Sequence, residues 1–255
     1  MKTIHEIKEE LEGASWEELG RLTAGYAGDE RAGVRRLAAQ YERRLRKLEK
    51  ERQRMEQMLS YERKYRDRGL ICGIDEAGRG PLAGPVVAGA VILPEGEEIL
   101  WLNDSKQLSP GKRQELYQVI MEKAVAVGVG YASCARIDEI NILQATYEAM
   151  REAVAKLGVQ PDILLNDAVR IPGISIPQVP IVKGDAKSAS IAAASIIAKV
   201  TRDRLMEEYD RIMPEYGFAS NKGYGSQAHI QALKKYGPSP IHRKSFITHF
   251  WDENP

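Results

Sequence analysis

From Leu70 onward, short apolar runs alternate with longer helical stretches in a fixed order, and this order limits the chain to a small set of folds. Runs of strand length lie at 70–75, 85–93, 125–133, 163–166 and 178–182, and stretches with helical spacing lie at 110–124, 137–157 and 188–213. The succession strand, strand, helix, strand, helix, strand, strand, helix predicts an α/β domain built on a mixed sheet. Only the glycine- and proline-rich 77–84 separates the first two runs, so they are expected to pair like a hairpin. Beyond Met213 the chain turns rich in glycine and aromatic residues. A last short helix is expected from Ser226, stopped by Gly237-Pro238-Ser239-Pro240.

The first 68 residues differ in character and carry no strand pattern. Thr3-Ile4-His5-Glu6 and Ser15-Trp16-Glu17-Glu18 each place a hydroxyl three residues before a glutamate, the capping-box arrangement that opens a helix. Gly25-Tyr26-Ala27-Gly28 is a break, after which a third helix is expected over 29–66. Its seam of Val34, Leu37, Tyr41, Leu45, Leu48, Met55 and Leu59 steps in threes and fours except where Arg52 intervenes. That seam could meet the two short helices, the main domain or another chain, and packing within the chain is the expectation. The chain is thus divided into an all-helical extension, 1–68, and an α/β domain with a C-terminal helical segment, 69–255.

Charge is distributed unevenly. Residues 31–68 hold 14 basic and 6 acidic side chains, whereas residues 69–255 hold 20 and 22. A basic helix of this kind either touches nucleic acid or is a solvated face. The hydrophobic content of 43% supplies a sizeable core and excludes disorder throughout. No apolar run reaches membrane-span length and the N-terminus lacks a signal-peptide layout, so a cytoplasmic protein with no membrane partner is expected. Cys72 and Cys134 lie in apolar segments without Cys-x-x-Cys spacing, as reduced core thiols do.

Chemistry is suggested by acids placed where strands end. Asp75 and Glu76 close the run Leu70-Ile71-Cys72-Gly73-Ile74 and lead into Ala77-Gly78-Arg79-Gly80; Asp167 follows Ile163-Leu164-Leu165-Asn166; Asp185 follows Pro180-Ile181-Val182-Lys183-Gly184. Singly, each is as well explained as a turn or cap, and Asp185 in particular could serve as an anion before the helix from Ser188. Four carboxylates at strand ends together fit a site for two hard divalent ions, because such ions take oxygen ligands and open α/β sheets place their sites at these ends.

Several strings, in order along the chain, resemble bacterial ribonuclease HII: 73–81 (Gly-Ile-Asp-Glu-Ala-Gly-Arg-Gly-Pro), Leu102-Asn103-Asp104-Ser105-Lys106, 182–188, 192–203, Lys222-Gly223-Tyr224 and His242-Arg243-Lys244-Ser245-Phe246. The resemblance covers about 70–250. It implies a ribonuclease H-like mixed sheet flanked by helices, and cleavage of the RNA strand of RNA/DNA hybrids and of single ribonucleotides in duplex DNA, leaving 3′-hydroxyl and 5′-phosphate ends. It further implies Asp75, Glu76, Asp167 and Asp185 as catalytic ligands of Mg²⁺ or Mn²⁺ in a two-metal site. By the same resemblance Gly78, Arg79 and Gly80 form a ribose-reading loop, and Tyr224 stacks on the sugar at the ribonucleotide–deoxynucleotide junction. Ribonuclease HIII shares the catalytic core, but the Gly-Arg-Gly triplet and the absence of a strand-rich N-terminal pattern favour the HII form.

Other residues are less specific. Asn103, Ser105 and Lys106 offer an amide, a hydroxyl and an ammonium to a phosphate, or form an ordinary capped turn. Lys183 and Lys187 could offset Asp185 or meet phosphate. Ser195 and Lys199 suit core-edge packing and hydrogen bonding, and His242 and Arg243 are open to two readings, DNA contact or structure. A nucleic-acid-binding adaptor would need a basic main domain, and this one is slightly acidic; a dimer built on the long helix would add to an enzyme rather than replace it. An enzyme is therefore expected, acting as a monomer.

Overall fold

The computed structural model describes residues 1–251 and divides into two compact units, Met1–Glu56 and a second beginning at Gln57. The first contains α1 (Ile4–Gly13), α2 (Trp16–Tyr26) and most of α3 (Ala32–Met58). Both predicted capping boxes are formed: Thr3 Oγ1 accepts the Glu6 N–H at 3.2 Å while Glu6 Oε2 accepts the Thr3 N–H at 2.6 Å, and Ser15 and Glu18 repeat the exchange. Ile7, Leu11, Val34 and Tyr41 are buried together, with Leu19, Leu22, Tyr26 and Leu37 against them. The early part of the seam thus packs within the extension. The long helix stops at Met58 rather than near 66. Leu59 (φ −84°, ψ 4°) breaks it, and α4 (Ser60–Tyr65) follows. No glycine or proline causes the break; it lets Tyr61 and Tyr65 pack on Leu165, Ile181 and Ile191 of the second unit, to which they belong. A seam periodicity carries no trace of such a contact. No helix among the described residues is long and apolar enough to cross a membrane.

The second unit is built on a five-stranded sheet in the order β3-β2-β1-β4-β5. Its strands are β1 (Ile71–Ala77), β2 (Val86–Ile92), β3 (Ala126–Ala132), β4 (Ile163–Asp167) and β5 (Gln178–Ile181). β1 and β2 pair antiparallel from Cys72 opposite Ile92 to Ala77 opposite Val87, and β4 lies parallel to both β1 and β5. The sheet is therefore mixed, with the expected hairpin-like start. Between strands run α5 (Pro110–Lys123), α6 (Cys134–Ala155) and α7 (Ala189–Ile212), followed by α8 (Phe218–Asn221), α9 (Gln227–Tyr236) and α10 (Lys244–Ile247).

α6 and α7 cover opposite faces of the sheet. A Cβ at Gly130 would lie 2.0 Å from Ala149 O of α6, and one at Gly89 would lie 2.5 Å from Ala194 O of α7. Gly130 pairs with Ala88, the neighbour of Gly89, so the two glycines face opposite ways. On the α7 side Gly73 is as close: its Cβ would meet Ser190 C at 2.1 Å. Bare backbone at Gly73 and Gly89 lets the alanine-rich start of α7 lie directly on β1 and β2. Asp75, two residues beyond Gly73, points to that same face.

The C-terminal segment ties down the β1–β2 connection. Leu82 N donates to Gly223 O (2.8 Å), Gly84 N to Ile241 O (2.9 Å), and Arg243 N to Leu82 O (2.9 Å).

Candidate active site

Parallel pairing brings the first two acids together. The register of β1 and β4 ends at Ile74 opposite Asn166, so the next residue of each strand, Asp75 and Asp167, emerges beside the other. β5 pairs Ile181 with Asp167; the chain then passes through Lys183, held left-handed at φ 56°, into a short turn of 3-10 helix, Gly184–Ala186, that carries Asp185. Asp167 Oδ1 accepts the Gly184 N–H at 2.7 Å, which pins that turn to the end of β4. Glu62 of α4 supports the neighbouring start of α7: its Oε1 accepts from Ser188 Oγ (2.6 Å) and from Ser190 N (2.9 Å).

The electrostatics record this crowding. Asp75 is only 6% exposed, and burial, then the Glu76 charge, then Asp167, push its carboxyl well above the usual carboxylate range, against a lowering hydrogen bond from Ser195. Burial also raises Glu76, with Arg79 pulling the other way. Asp185 is raised by burial, then by Asp104 and Asp167. As the side chains stand, no three acidic, histidine or cysteine groups among the described residues enclose an ion position. Two of the acids are engaged elsewhere, Glu76 with Arg79 Nη1 at 3.3 Å and Asp167 with Gly184 N. Among the described residues the ion pair of Glu76 is to a half-exposed arginine, a contact that a cation could displace. An all-oxygen set in which Asp75, Glu76 and Asp185 are raised by burial and by neighbouring acids fits hard divalent ions, which would relieve the repulsion.

Asp75 and Glu76 line a cleft of about 1100 Å³ together with Gly78, Arg79, Gly80, Lys106 and Tyr224. Ser105 also borders it but is 3% exposed, its Oγ 3.0 Å from Ser195 Oγ; with Ser105 as the donor of that pair, the single Ser195 proton goes to Asp75. Ser195 thus bridges Asp75 and Ser105. Asn103 is turned onto its own loop, accepting the Asp104 N–H at 2.9 Å, and is not part of the cleft wall. Tyr224 is 45% exposed, and its backbone is firmly held. The Ser239 N–H donates to His242 Nδ1 (2.9 Å), so neutral His242 donates from Nε2 to His229 Nε2 (3.0 Å), and His229 Nδ1–H donates to Tyr224 O (2.8 Å). Burial keeps both rings neutral, with His242 lowered to about 4.

The family described as Ribonuclease HII matches residues 72–249, and the Ribonuclease HII N-terminal domain matches residues 3–66. The chain belongs to the ribonuclease HII family. A Ribonuclease HII of Lachnoclostridium phytofermentans is 65% identical over 96% of both chains, and one of Clostridioides difficile is 52% identical over 96% of this chain and 97% of that one. Among solved structures, the ribonuclease H2 of Pyrococcus horikoshii superposes with a TM-score of 0.57 at 29% identity, covering 71% of this chain and 98% of that one. Membership makes the protein a hydrolase of the ribonuclease H type, an endonuclease acting on the RNA of RNA/DNA hybrids. The family match also reaches the helical extension, which the motifs between 70 and 250 did not explain.

Some residues of the chain were not singled out by motif, or were left open between two readings. DNA contact by His242 and Arg243 is ruled out by burial: they are 4% and 0% exposed and serve the backbone of the cleft walls. Arg202, 1% exposed, donates to Pro85 O (3.0 Å), Lys222 O (2.9 Å) and Ala83 O (3.0 Å), joining the β1–β2 connection to the loop of Tyr224. Asp104 is a further acid near Asp185, and only its position inside the polar loop could have suggested it. Lys199, bonded to Asp203 at 2.7 Å, lines the cleft and is lowered by burial.

Proposed function

We propose that the protein is a two-metal endonuclease, using Mg²⁺ or Mn²⁺, that cuts the RNA strand of hybrids and the 5′ side of single ribonucleotides in duplex DNA, as a monomer in the cytoplasm. The observation that carries this reading is one cleft, formed by one chain, in which Asp75 and Glu76 at the end of β1 adjoin the Gly78–Gly80 loop and Tyr224.

Asp75, Glu76, Asp167 and Asp185 would hold the ions. Two divalent ions there would offset the charge that develops on the phosphate and ease deprotonation of the attacking water. Water adds to the phosphorus 5′ of the ribonucleotide while the 3′-oxygen of the preceding nucleotide leaves, giving a 3′-hydroxyl and a 5′-phosphate. Ser195 orients Asp75 through its hydrogen bond, and burial of Ser105 behind it keeps that hydroxyl from turning to solvent. Lys106, exposed on the cleft wall, is placed to meet a backbone phosphate. Gly80 leaves the loop open beside Tyr224, whose Cε1 is the nearest atom to a Cβ built there, at 3.9 Å. A sugar bearing a 2′-hydroxyl can approach the backbone here, and the tyrosine ring can lie against the next deoxyribose.

A duplex with one ribonucleotide, incubated with Mg²⁺ or Mn²⁺ and separately with chelator, tests this. A single nick on the 5′ side that requires the ion is expected. Equal cutting of an all-DNA duplex, or cutting that survives chelation, would overturn it.

A further inference from the structure

The loop between Gly78 and Gly80 rests on the buried guanidinium of Arg243, whose hydrogen bonds go mainly to backbone carbonyls, with the Cys134 thiol and Asp138 nearby. Arg243 Nη2 donates to Gly78 O (2.5 Å) and Gly84 O (2.7 Å), Nη1 to Arg79 O (2.8 Å), and Nε to Gly84 O (3.0 Å). The Phe246 ring lies 5.1 Å from its central carbon, closing one face. Burying a cation carries a desolvation cost, which these hydrogen bonds offset, and the same bonds fix the direction of the carbonyls.

A trans peptide unit points its C=O and its N–H in opposite directions. With the carbonyls of Gly78 and Arg79 drawn inward onto buried Arg243, the N–H groups of Arg79 and Gly80 turn outward. Both residues are exposed on the cleft wall, and among the described residues neither N–H finds an acceptor. Two adjacent outward amides form a concave donor pair suited to a single oxygen.

We propose that Arg243 is a positioning residue for substrate discrimination: it sets two successive peptide planes so that the N–H groups of Arg79 and Gly80 together receive the 2′-oxygen of one ribose. The proposal deepens the ribonucleotide reading above and rests on it. Arg202 complements this arrangement, since its bonds to Ala83 O, Pro85 O and Lys222 O fix the spacing between the amide pair and Tyr224. Lysine cannot substitute for Arg243, because a single ammonium lacks the planar fork that reaches the Gly78, Arg79 and Gly84 carbonyls at once.

The test compares the KM for a duplex holding one ribonucleotide with the inhibition constant of the all-DNA duplex of the same sequence, in full-length protein. The wild type must favour the ribonucleotide duplex; if it does not, the ribonucleotide reading itself fails, whatever Arg243 does. In Arg243→Lys the preference should shrink by about tenfold, through the ribonucleotide KM, with the all-DNA constant unchanged. A folded Arg243→Lys protein, judged by near-ultraviolet circular dichroism, that keeps the wild-type preference overturns the proposal. Should that variant not fold, Gly80→Pro deletes one of the two donors with Arg243 in place. The same loss of preference is expected, and an unchanged preference overturns the proposal equally.

Discussion

Gly73→Ala should damage both stability and turnover although Gly73 touches no substrate. Its Cβ would stand 2.1 Å from Ser190 C, 2.3 Å from Ser190 O and 2.4 Å from Ile191 N, all backbone atoms that cannot rotate aside. Since non-bonded carbons settle at about 3.5 Å or more, the start of α7 must withdraw from β1 by roughly 1 Å. Overpacking of this kind costs about 1–3 kcal/mol, which in a unit of this size lowers Tm by roughly 2–4 °C for each kcal/mol. Ser195 travels with the same helix, and its 3.0 Å bond to Ser105 and its bond to Asp75 would be stretched past useful length. A displacement near 1 Å at a catalytic group can cost on the order of 100-fold, so kcat should fall by about 10- to 100-fold with KM changed far less. Chemical denaturation together with single-turnover cleavage of a ribonucleotide-containing duplex measures both effects. Gly111→Ala, where nothing lies within 4 Å of the new carbon, is the control and should leave activity intact. If Gly73→Ala melts and turns over like the wild type, the close seating of α7 does not position the site.

Other outcomes can be checked alongside. Asp75→Asn should abolish most cleavage yet raise the melting temperature of the metal-free protein near neutral pH, because it removes a buried charge crowded by Glu76 and Asp167; an unchanged or lower melting temperature would contradict that crowding. The pH dependence has a definite sign: Asp75, Glu76 and Asp185 are all raised, so the folded state holds their protons to higher pH than the unfolded chain does, and stability is lost as pH rises through the raised values. The stability gained by Asp75→Asn should therefore shrink as pH falls toward the ordinary carboxylate range, about 4, in melts run with chelator. Tyr224→Ala should cut junction cleavage far more than it lowers stability, since 45% of the residue is exposed; lost stability with normal activity per folded molecule would assign the ring a structural role. Removing residues 1–56 should raise KM and flatten the salt dependence of binding while the single-turnover rate at saturation holds, if the basic helix adds phosphate contacts; an unchanged salt slope would count against them. The cut belongs at 56 rather than 68 because Glu62 caps the start of α7.

The order of elements and the placement of acids were both readable along the chain, because apolar periodicity and strand-end position are local properties. Each strand at 70–75, 85–93, 125–133, 163–166 and 178–182 has its counterpart in the sheet within two residues of its ends. The capping boxes at Thr3 and Ser15 needed only their own four residues. The stop of α3 at Met58 was not readable, since helix-forming residues continue past it and the cause is the docking of Tyr61 and Tyr65 on a cluster formed by β4, β5 and α7.

Tertiary structure alone decides which groups stand together. Asp75 and Asp167 stand side by side because β1 and β4 pair in parallel, a relation between segments some ninety residues apart that no spacing encodes. The same holds for Arg202 and Arg243. Along the chain Arg243 is open to DNA contact or a structural part and Arg202 stands only within a motif string, yet burial turns both onto backbone carbonyls, and so makes them struts of the cleft. Residue type along the chain determines which chemistry is available; desolvation and direction, which exist only once the chain has closed on itself, determine whether a charge faces the substrate or the core.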